Sequence, residues 1–197
     1  MEAPVLLITF NRPETTRVVL DALRNAQIKT LYIFNDGPRP GIESDNYYRK
    51  EIQKLISDID WDCRLYTLFS ETNLGCGPGP VAAISWAFTN EDRLIILEDD
   101  CVPAISFFEY CNELLERYKD DARIWRISGD NYSEEFPVET SYIFSFFGHS
   151  LGWATWKRCW ENYDFYMDLL PDFENSDGFY NYFADKKMAR YFSNSLW

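Results

Sequence analysis

Residues 94–103 read Leu-Ile-Ile-Leu-Glu-Asp-Asp-Cys-Val-Pro, an unbroken apolar run that stops at three consecutive carboxylates. A continuous apolar run of this kind, without alternation, is the signature of a strand covered on both faces in a largely parallel sheet. Its end then lies at the carboxyl edge of that sheet, where the loops of open α/β folds leave a crevice for ligands. Glu98, Asp99 and Asp100 crowded into such a crevice repel one another unless a cation intervenes, and a divalent metal is the economical partner. A Glu-Asp-Asp triplet also belongs to ordinary turns and helix starts, and Pro103 does announce a helix; the buried strand before it favours a site.

The rest of the chain repeats the pattern. Residues 4–10 form a second continuous apolar run, read as the first strand, followed by Asn11-Arg12-Pro13-Glu14. Asn11 is expected to cap a helix with Glu14 reaching back and Pro13 in the first turn. Val19, Ala22, Leu23 and Ala26 then fall at helical spacing. Residues 30–35 read as the second strand, ending in the loop signal Asp36-Gly37-Pro38, and residues 47–59 as a surface helix. Residues 63–69 read as a third strand, followed by Asn73-Leu74-Gly75-Cys76-Gly77-Pro78-Gly79-Pro80 and a helix carrying Val81, Ile84 and Phe88. A helix started near Pro103 presents Phe107, Tyr110, Cys111 and Leu114, and residues 123–128 read as a fifth strand. Strand and helix alternating with short links predict an α/β fold with a Rossmann-like, mostly parallel sheet flanked by helices. Residues 141–147 are a candidate strand, and residues 149–156 lead into a helix with Cys159 and Trp160. Beyond Tyr163 there is no firm period, and the chain reaches Trp197 without a stop signal, which reads as a fragment.

Charge and cysteine usage narrow the function classes. With 32 acidic against 19 basic residues the net charge is −13, which repels phosphate overall and disfavours nucleic acid or an anionic membrane as partner. A phosphate-bearing ligand therefore needs a local cation, which strengthens the metal reading of Asp99 and Asp100. Aromatic residues make up 18% of the chain and hydrophobic residues 46%, enough to exclude disorder and to suit flat or sugar-like ligands. Five cysteines are scattered without paired spacing, neither a zinc pattern nor a disulfide framework, so a reducing compartment is expected. No signal-peptide pattern opens the chain and no apolar run reaches the roughly 18 residues of a span. The expected location is cytoplasmic, or peripheral at the inner face of the membrane.

Four strand ends carry polar or flexible residues that would share one rim: Asn11-Arg12, Asp36, Asn73 with Gly75, and Glu98-Asp99-Asp100. Asp36 can accept from a pyrimidine ring N–H or serve plain turn chemistry. Arg12 can approach a base or a phosphate. The loop at Gly75–Gly79 lacks the Lys and Ser/Thr of a P-loop, and reads either as close backbone packing against a ligand or as an ordinary loop. In Gly152-Trp153-Ala154-Thr155-Trp156 the indoles suit either the apolar face of a sugar or the core. His149, the sole histidine, is a candidate base, though a lone histidine is more often structural.

The strand followed by Asn11-Arg12-Pro13, then Asp36-Gly37-Pro38, Asn73-Leu74-Gly75, Glu98-Asp99-Asp100 and Gly152-Trp153-Ala154-Thr155-Trp156 together resemble a GT-A fold glycosyltransferase. The resemblance is to bacterial family-2-like and N-acetylglucosaminyltransferase I-like enzymes, the latter also through Pro103 and Phe107-Phe108-Glu109-Tyr110. It covers residues 4–160. It implies one GT-A domain over residues 1–197, with a nucleotide-binding part over 1–130 and an acceptor-side part over 131–197. It implies Mn²⁺ or Mg²⁺ bound by Asp100, with Asp99 on ribose or metal, and Asp36 with the Asn11-Arg12 loop at the uracil of a UDP-sugar. Asn73, Gly75 and Glu98 complete the donor site, and His149, Gly152 and Trp153 shape the sugar and acceptor pocket. Such relatives transfer a sugar with inversion to a glycan or lipid-linked acceptor, as in polysaccharide biosynthesis, using a carboxylate base after the Gly-Trp segment. No Trp-Asp follows Trp156, which leaves Asp164, Asp168, Asp177 or a residue beyond Trp197 for that role. One rival is a catalytically silent nucleotide-sugar or glycan-binding module. Another, a sugar-1-phosphate nucleotidylyltransferase, would require a glycine-rich loop with Arg and Lys after the first strand, which Asn11-Arg12-Pro13 does not provide.

Overall fold

The structure is a computed structural model and describes residues 2–130, 140–146, 148–183 and 186–195. Two compact units divide it, residues 1–161 and residues 162–197.

In the first unit the strands are β1 (Val5–Thr9), β2 (Thr30–Asn35), β3 (Arg64–Phe69), β4 (Arg93–Glu98), β5 (Arg126–Ser128) and β6 (Trp153–Trp156). Among the described residues they form one sheet in the order β3-β2-β1-β4-β6-β5. The pairs β1–β2, β1–β4 and β2–β3 are parallel. β6 runs antiparallel to both β4 and β5. The expected α/β class holds, a six-stranded and mostly parallel Rossmann-like sheet flanked by helices.

The helices are α1 (Pro13–Asn25), α2 (Glu43–Ser57), α3 (Pro78–Ala87), α4 (Ile105–Arg117) and the short α5 (Lys157–Trp160). Alternation along the strands sends side chains to two separate cores. Val5, Leu7, Leu31, Ile33, Ile95 and Leu97 pack with Val19 and Leu23 of α1, Ile52 of α2 and Cys111 and Leu115 of α4. Leu6, Ile8, Tyr32, Phe34, Leu94 and Ile96 pack on the other face against Ala83, Ile84 and Ala87 of α3. β1 and β2 are buried along their whole length, which is why they read as unbroken apolar runs. β3, at the sheet's edge, is largely exposed.

Several local expectations are corrected. Asn11 does not cap α1: Arg12 holds the N-cap position without a side-chain cap, and the Asn11 amide is drawn to Asp45 instead. The inner stripe of α1 is Thr16, Val19, Leu20 and Leu23, with Ala22 and Ala26 only half-buried. On α4 the fully buried positions are Phe108, Cys111, Leu114 and Leu115, and the expected Phe107 and Tyr110 pack half-buried against the same core. The fifth strand shrinks to Arg126–Ser128 because Asp121 captures the Arg123 backbone and guanidinium in a turn. Residues 140–146 form no strand; Tyr142 and Phe144 set their rings edge-on against Tyr118, and Phe147 lies outside the described residues. The segment expected to lead into a helix with Cys159 and Trp160 does so at α5, but its residues Trp153–Trp156 are themselves a strand, β6, inserted between β4 and β5. Trp156 anchors it by donating its indole N–H to the Leu115 carbonyl at 3.0 Å, and Ala154 and Trp156 join the α1-side core.

The second unit consists of α6 (Leu170–Glu174), α7 (Asp177–Tyr182) and α8 (Lys186–Ser195). Phe173 meets Phe179 and Tyr182 edge-on, with ring centroids 5.5 and 5.9 Å apart.

Ile96→Ala, in the doubly covered strand β4, is expected to cost about 2–5 kcal/mol, whereas Leu65→Ala on the exposed edge strand stays within about 0.5 kcal/mol. Urea unfolding of the two variants checks the contrast.

Candidate functional site

The parallel strands β1, β2, β3 and β4 end on one rim, and the antiparallel β6 begins there, since Trp153 pairs with Ile96 near the end of β4. The topology therefore brings together Asn11-Arg12, Asp36, Asn73 with Gly75 and Glu98-Asp99-Asp100, the four strand ends expected to share a rim, and adds Gly152-Trp153 from the start of β6. Buried aspartates join neighbouring strand ends.

Asp99 joins β4 to β1. It is 2% exposed, accepts from the Phe10 amide at 3.3 Å, and forms an ion pair with Arg12. Arg12 also reaches the half-exposed Asp100, with Nη1 2.8 Å from Oδ2. Burial pushes the Asp99 carboxyl above the ordinary aspartate value, and Arg12 and the Phe10 amide pull back against that rise. Glu98 is raised too, first by burial and then by Asp100 and Asp99. The rim thus keeps three carboxylates together at a cost in solvation and repulsion, with Arg12 as the cation that offsets it.

Asp36 joins β2 to the loop after β3. Its carboxylate accepts from the amides of Gly37 (2.8 Å), Leu74 (2.9 Å) and Gly75 (2.9 Å) and from the Asn73 side chain (3.1 Å). Asn73 also donates to the Gly37 carbonyl at 2.9 Å. A carboxylate offers about four lone-pair directions, so contact with a uracil N–H requires Asp36 to release a loop donor. The Gly79 Cα lies in the first turn of α3, and a Cβ added there would stand 3.6 Å from Asp36 Oδ2. The helix amino terminus thus contributes its partial positive charge to this carboxylate. Gly37 is required by close approach, because an added Cβ would fall 2.4 Å from the Thr72 backbone.

Asp45 joins β1 to β2, and sequence reasoning missed it. It is 1% exposed in the first turn of α2. It accepts from Asn11 Nδ2 at 2.8 Å and from Arg39 Nε and Nη2 at 2.7 and 2.9 Å. The Arg39 guanidinium lies over the Phe10 ring, 5.4 Å from its centroid. Arg39 holds the Asp45 carboxyl well below the usual aspartate range, with burial opposing and Asn11 assisting. Only the acidic residue in a helix's first turn could have hinted at Asp45.

On the far side of β4, Gly152 adopts φ +70° and sits against Leu97 and Phe107. Its carbonyl accepts from the Gly129 amide at 2.9 Å, so β5 and β6 close onto α4 there. Trp153 is half-buried and carries the Arg126 guanidinium 5.9 Å from its ring centroid. Trp156 is core. His149 is exposed, and its carbonyl accepts from Ser128 Oγ at 3.1 Å.

The base candidates fall in the second unit. Asp164 accepts from the amides of Tyr166 and Asp168 at 3.0 and 2.8 Å, a local turn. Asp177 opens α7, and its side chain is outside the described residues.

Among the described residues no three His, Cys, Asp or Glu side chains converge into a ready-made metal cage. That does not exclude Mg²⁺ or Mn²⁺, hard cations that take one or two carboxylates and complete their shell with water and substrate phosphate. Asp100, an exposed carboxylate beside a buried one, fits such an open site, with Asp99 behind it. The pocket lined by Glu2, Arg93, Glu109, Asn112, Glu113 and Glu116 lies at the opposite, amino edge of the sheet. All five cysteines are free thiols, and burial pushes Cys111 up to about 12.

No family model and no curated protein matches the chain. Among solved structures, the chain is similar to 4-diphosphocytidyl-2C-methyl-D-erythritol synthase from Anaerococcus prevotii, at 10% identity and a TM-score of 0.49, over 90% of this chain and 84% of that one. Among the described residues no helix is long and apolar enough to cross a membrane.

Asp36→Asn replaces an acceptor with a donor against three amides and is expected to cost about 1–3 kcal/mol. Hydrogen exchange at Leu74 and Gly75 should accelerate, with the β1 amides unaffected. Asp45, depressed in the folded state, stabilises the fold above the ordinary aspartate pKa, and that contribution is lost as pH falls through the depressed value. The stability gap between wild type and Asp45→Asn should therefore stay constant from neutrality down to the ordinary aspartate range and narrow below it, as read by urea unfolding across pH.

Proposed function

We propose that the chain is a nucleotide-sugar-dependent glycosyltransferase of GT-A type, transferring a sugar from a UDP-sugar to a hydroxyl of a glycan or lipid-linked acceptor with inversion. The observation that carries the reading is Asp99 and Asp100 at the tip of the doubly covered strand β4, on a rim shared with the loops after β1, β2 and β3. This is the place where open α/β sheets bind nucleotides. Phe10, Asn11 and the Asp36–Asn73 latch form the wall between the ends of β1, β2 and β3, and we assign the nucleoside to that side.

Asp100 would hold Mn²⁺ or Mg²⁺, with Asp99 supporting it, and the ion would supply Lewis-acid neutralisation of the departing diphosphate, worth several kcal/mol in such sites. Asp99 keeps the β1 loop and Arg12 against the rim. Gly152 and Trp153 bound the side assigned to the sugar. Deprotonation of the acceptor hydroxyl would need a carboxylate base, a role that contributes about 10²- to 10⁴-fold.

The reading expects Asp100→Asn to abolish Mn²⁺-dependent binding of UDP with the fold intact. Calorimetry showing equal binding by wild type and variant overturns it. Metal-dependent UDP binding without turnover of any nucleotide sugar would instead mark a silent binding module.

A further inference from the structure

Arg12 occupies the carboxylate that the donor site assigns to the metal. Its Nη1 stands 2.8 Å from Asp100 Oδ2, and its other terminal nitrogen pairs with Asp99. Asp99 is almost fully buried, whereas the Asp100 and Arg12 side chains are 43% and 50% exposed. One half of this double ion pair is therefore fixed in the protein and the other half is open to exchange. The Arg12 backbone is also fixed, because its carbonyl accepts from the Thr16 amide at 3.0 Å and from Thr16 Oγ1 at 2.7 Å at the start of α1. Movement is thus confined to the side chain.

A divalent ion coordinated by Asp100 at roughly 2 Å and a guanidinium on the same carboxylate repel one another, so the ion weakens the Arg12–Asp100 pair. A diphosphate presents the paired anionic oxygens that a guanidinium fork takes bidentately, and lysine would take them only as a point charge. Resting on the donor-site reading above, we propose that Arg12 is an internal counter-ion. It holds Asp100 in the donor-free protein and passes from Asp100 to the donor diphosphate as the metal takes Asp100. Metal and diphosphate then bind as a coupled pair, and an ion alone meets a carboxylate already paired with a cation. Arg12 is a positioning residue with two partners, one for each state of the site.

Coupling between the two ligands is the readout. Mn²⁺ affinity is measured by electron paramagnetic resonance with and without UDP, on the full chain. In wild type, Mn²⁺ alone binds weakly and UDP tightens it by about tenfold or more, within the ordinary range of coupling energies. In Arg12→Gln, Mn²⁺ alone binds more tightly than in wild type, and the enhancement by UDP shrinks toward none. A folded Arg12→Gln that binds Mn²⁺ alone no more tightly than wild type, with the UDP enhancement unchanged, overturns the proposal. Loss of Arg12 leaves Asp99 buried with the Phe10 amide alone, so Arg12→Lys, which keeps the charge, serves if the glutamine variant does not fold. An enhancement lower than wild type supports the exchange in that variant, and an unchanged one refutes it. Asp100→Asn separates the two levels: Mn²⁺·UDP binding as in wild type refutes the metal site itself, whereas its loss alongside an unchanged Arg12→Gln leaves the site standing and removes only the exchange.

Discussion

A carboxylate buried at the end of the innermost strand, beneath a half-exposed arginine, sets the geometry of the rim. Asp99 cannot leave water without compensation, because an isolated buried charge is strongly disfavoured. The Phe10 amide and Arg12 supply that compensation, and in doing so fix the end of β1 against the end of β4. Asp45 repeats the arrangement between β1 and β2 through Asn11 and Arg39, and Asp36 repeats it between β2 and the loop after β3. Three buried aspartates thus join four strand ends in sequence. A protein with a net charge of −13 places these buried carboxylates where loops must be held in register, and each is met locally, Asp99 and Asp45 by an arginine and Asp36 by amide donors.

The sheet makes this possible. Parallel strands joined through helices bring every carboxyl end to one edge, so residues 10–12, 36–37, 73–75 and 98–100 meet without long loops. Antiparallel β6 contributes its beginning to the same edge, which is how Gly152 and Trp153 arrive beside Leu97. The two faces of the sheet are covered separately, by α1, α2 and α4 on one side and α3 on the other. The rim is the place where polar groups can gather without interrupting a core.

Much of this was legible in the sequence because full burial leaves a plain trace. β1, β2 and β4 are covered on both faces, so their apolar runs marked them to within a residue or two, and their polar ends marked the rim. The partners were not legible. Asn11 and Glu14 satisfy the local rule for a capping box, yet Asn11 serves Asp45, a residue 34 positions away, and no local rule anticipates that. Asp36 was open to a ligand or to plain turn chemistry, and its contacts with the Gly37, Leu74 and Gly75 amides appear only with the fold. Trp-Ala-Thr-Trp is too short to show a period, so its place as an interior strand follows only from pairing with β4 and β5. On α4 the pattern marked Cys111 and Leu114 but passed over Phe108 for the half-buried Phe107, since the two are interchangeable to pattern and only packing separates them.

The central claim is that the carboxyl rim, at Asp99 and Asp100, is where a divalent ion and a nucleotide diphosphate meet. Mn²⁺ titrated with UDP into isotopically labelled protein reports this directly, because the paramagnetic ion broadens nearby amide resonances. The account expects broadening at residues 10–12, 98–101 and 152–153, with residues 36–37 and 73–75 shifting on UDP alone. Broadening centred on Glu109, Glu113 and Glu116 at the opposite edge, with the rim resonances left sharp, would contradict it.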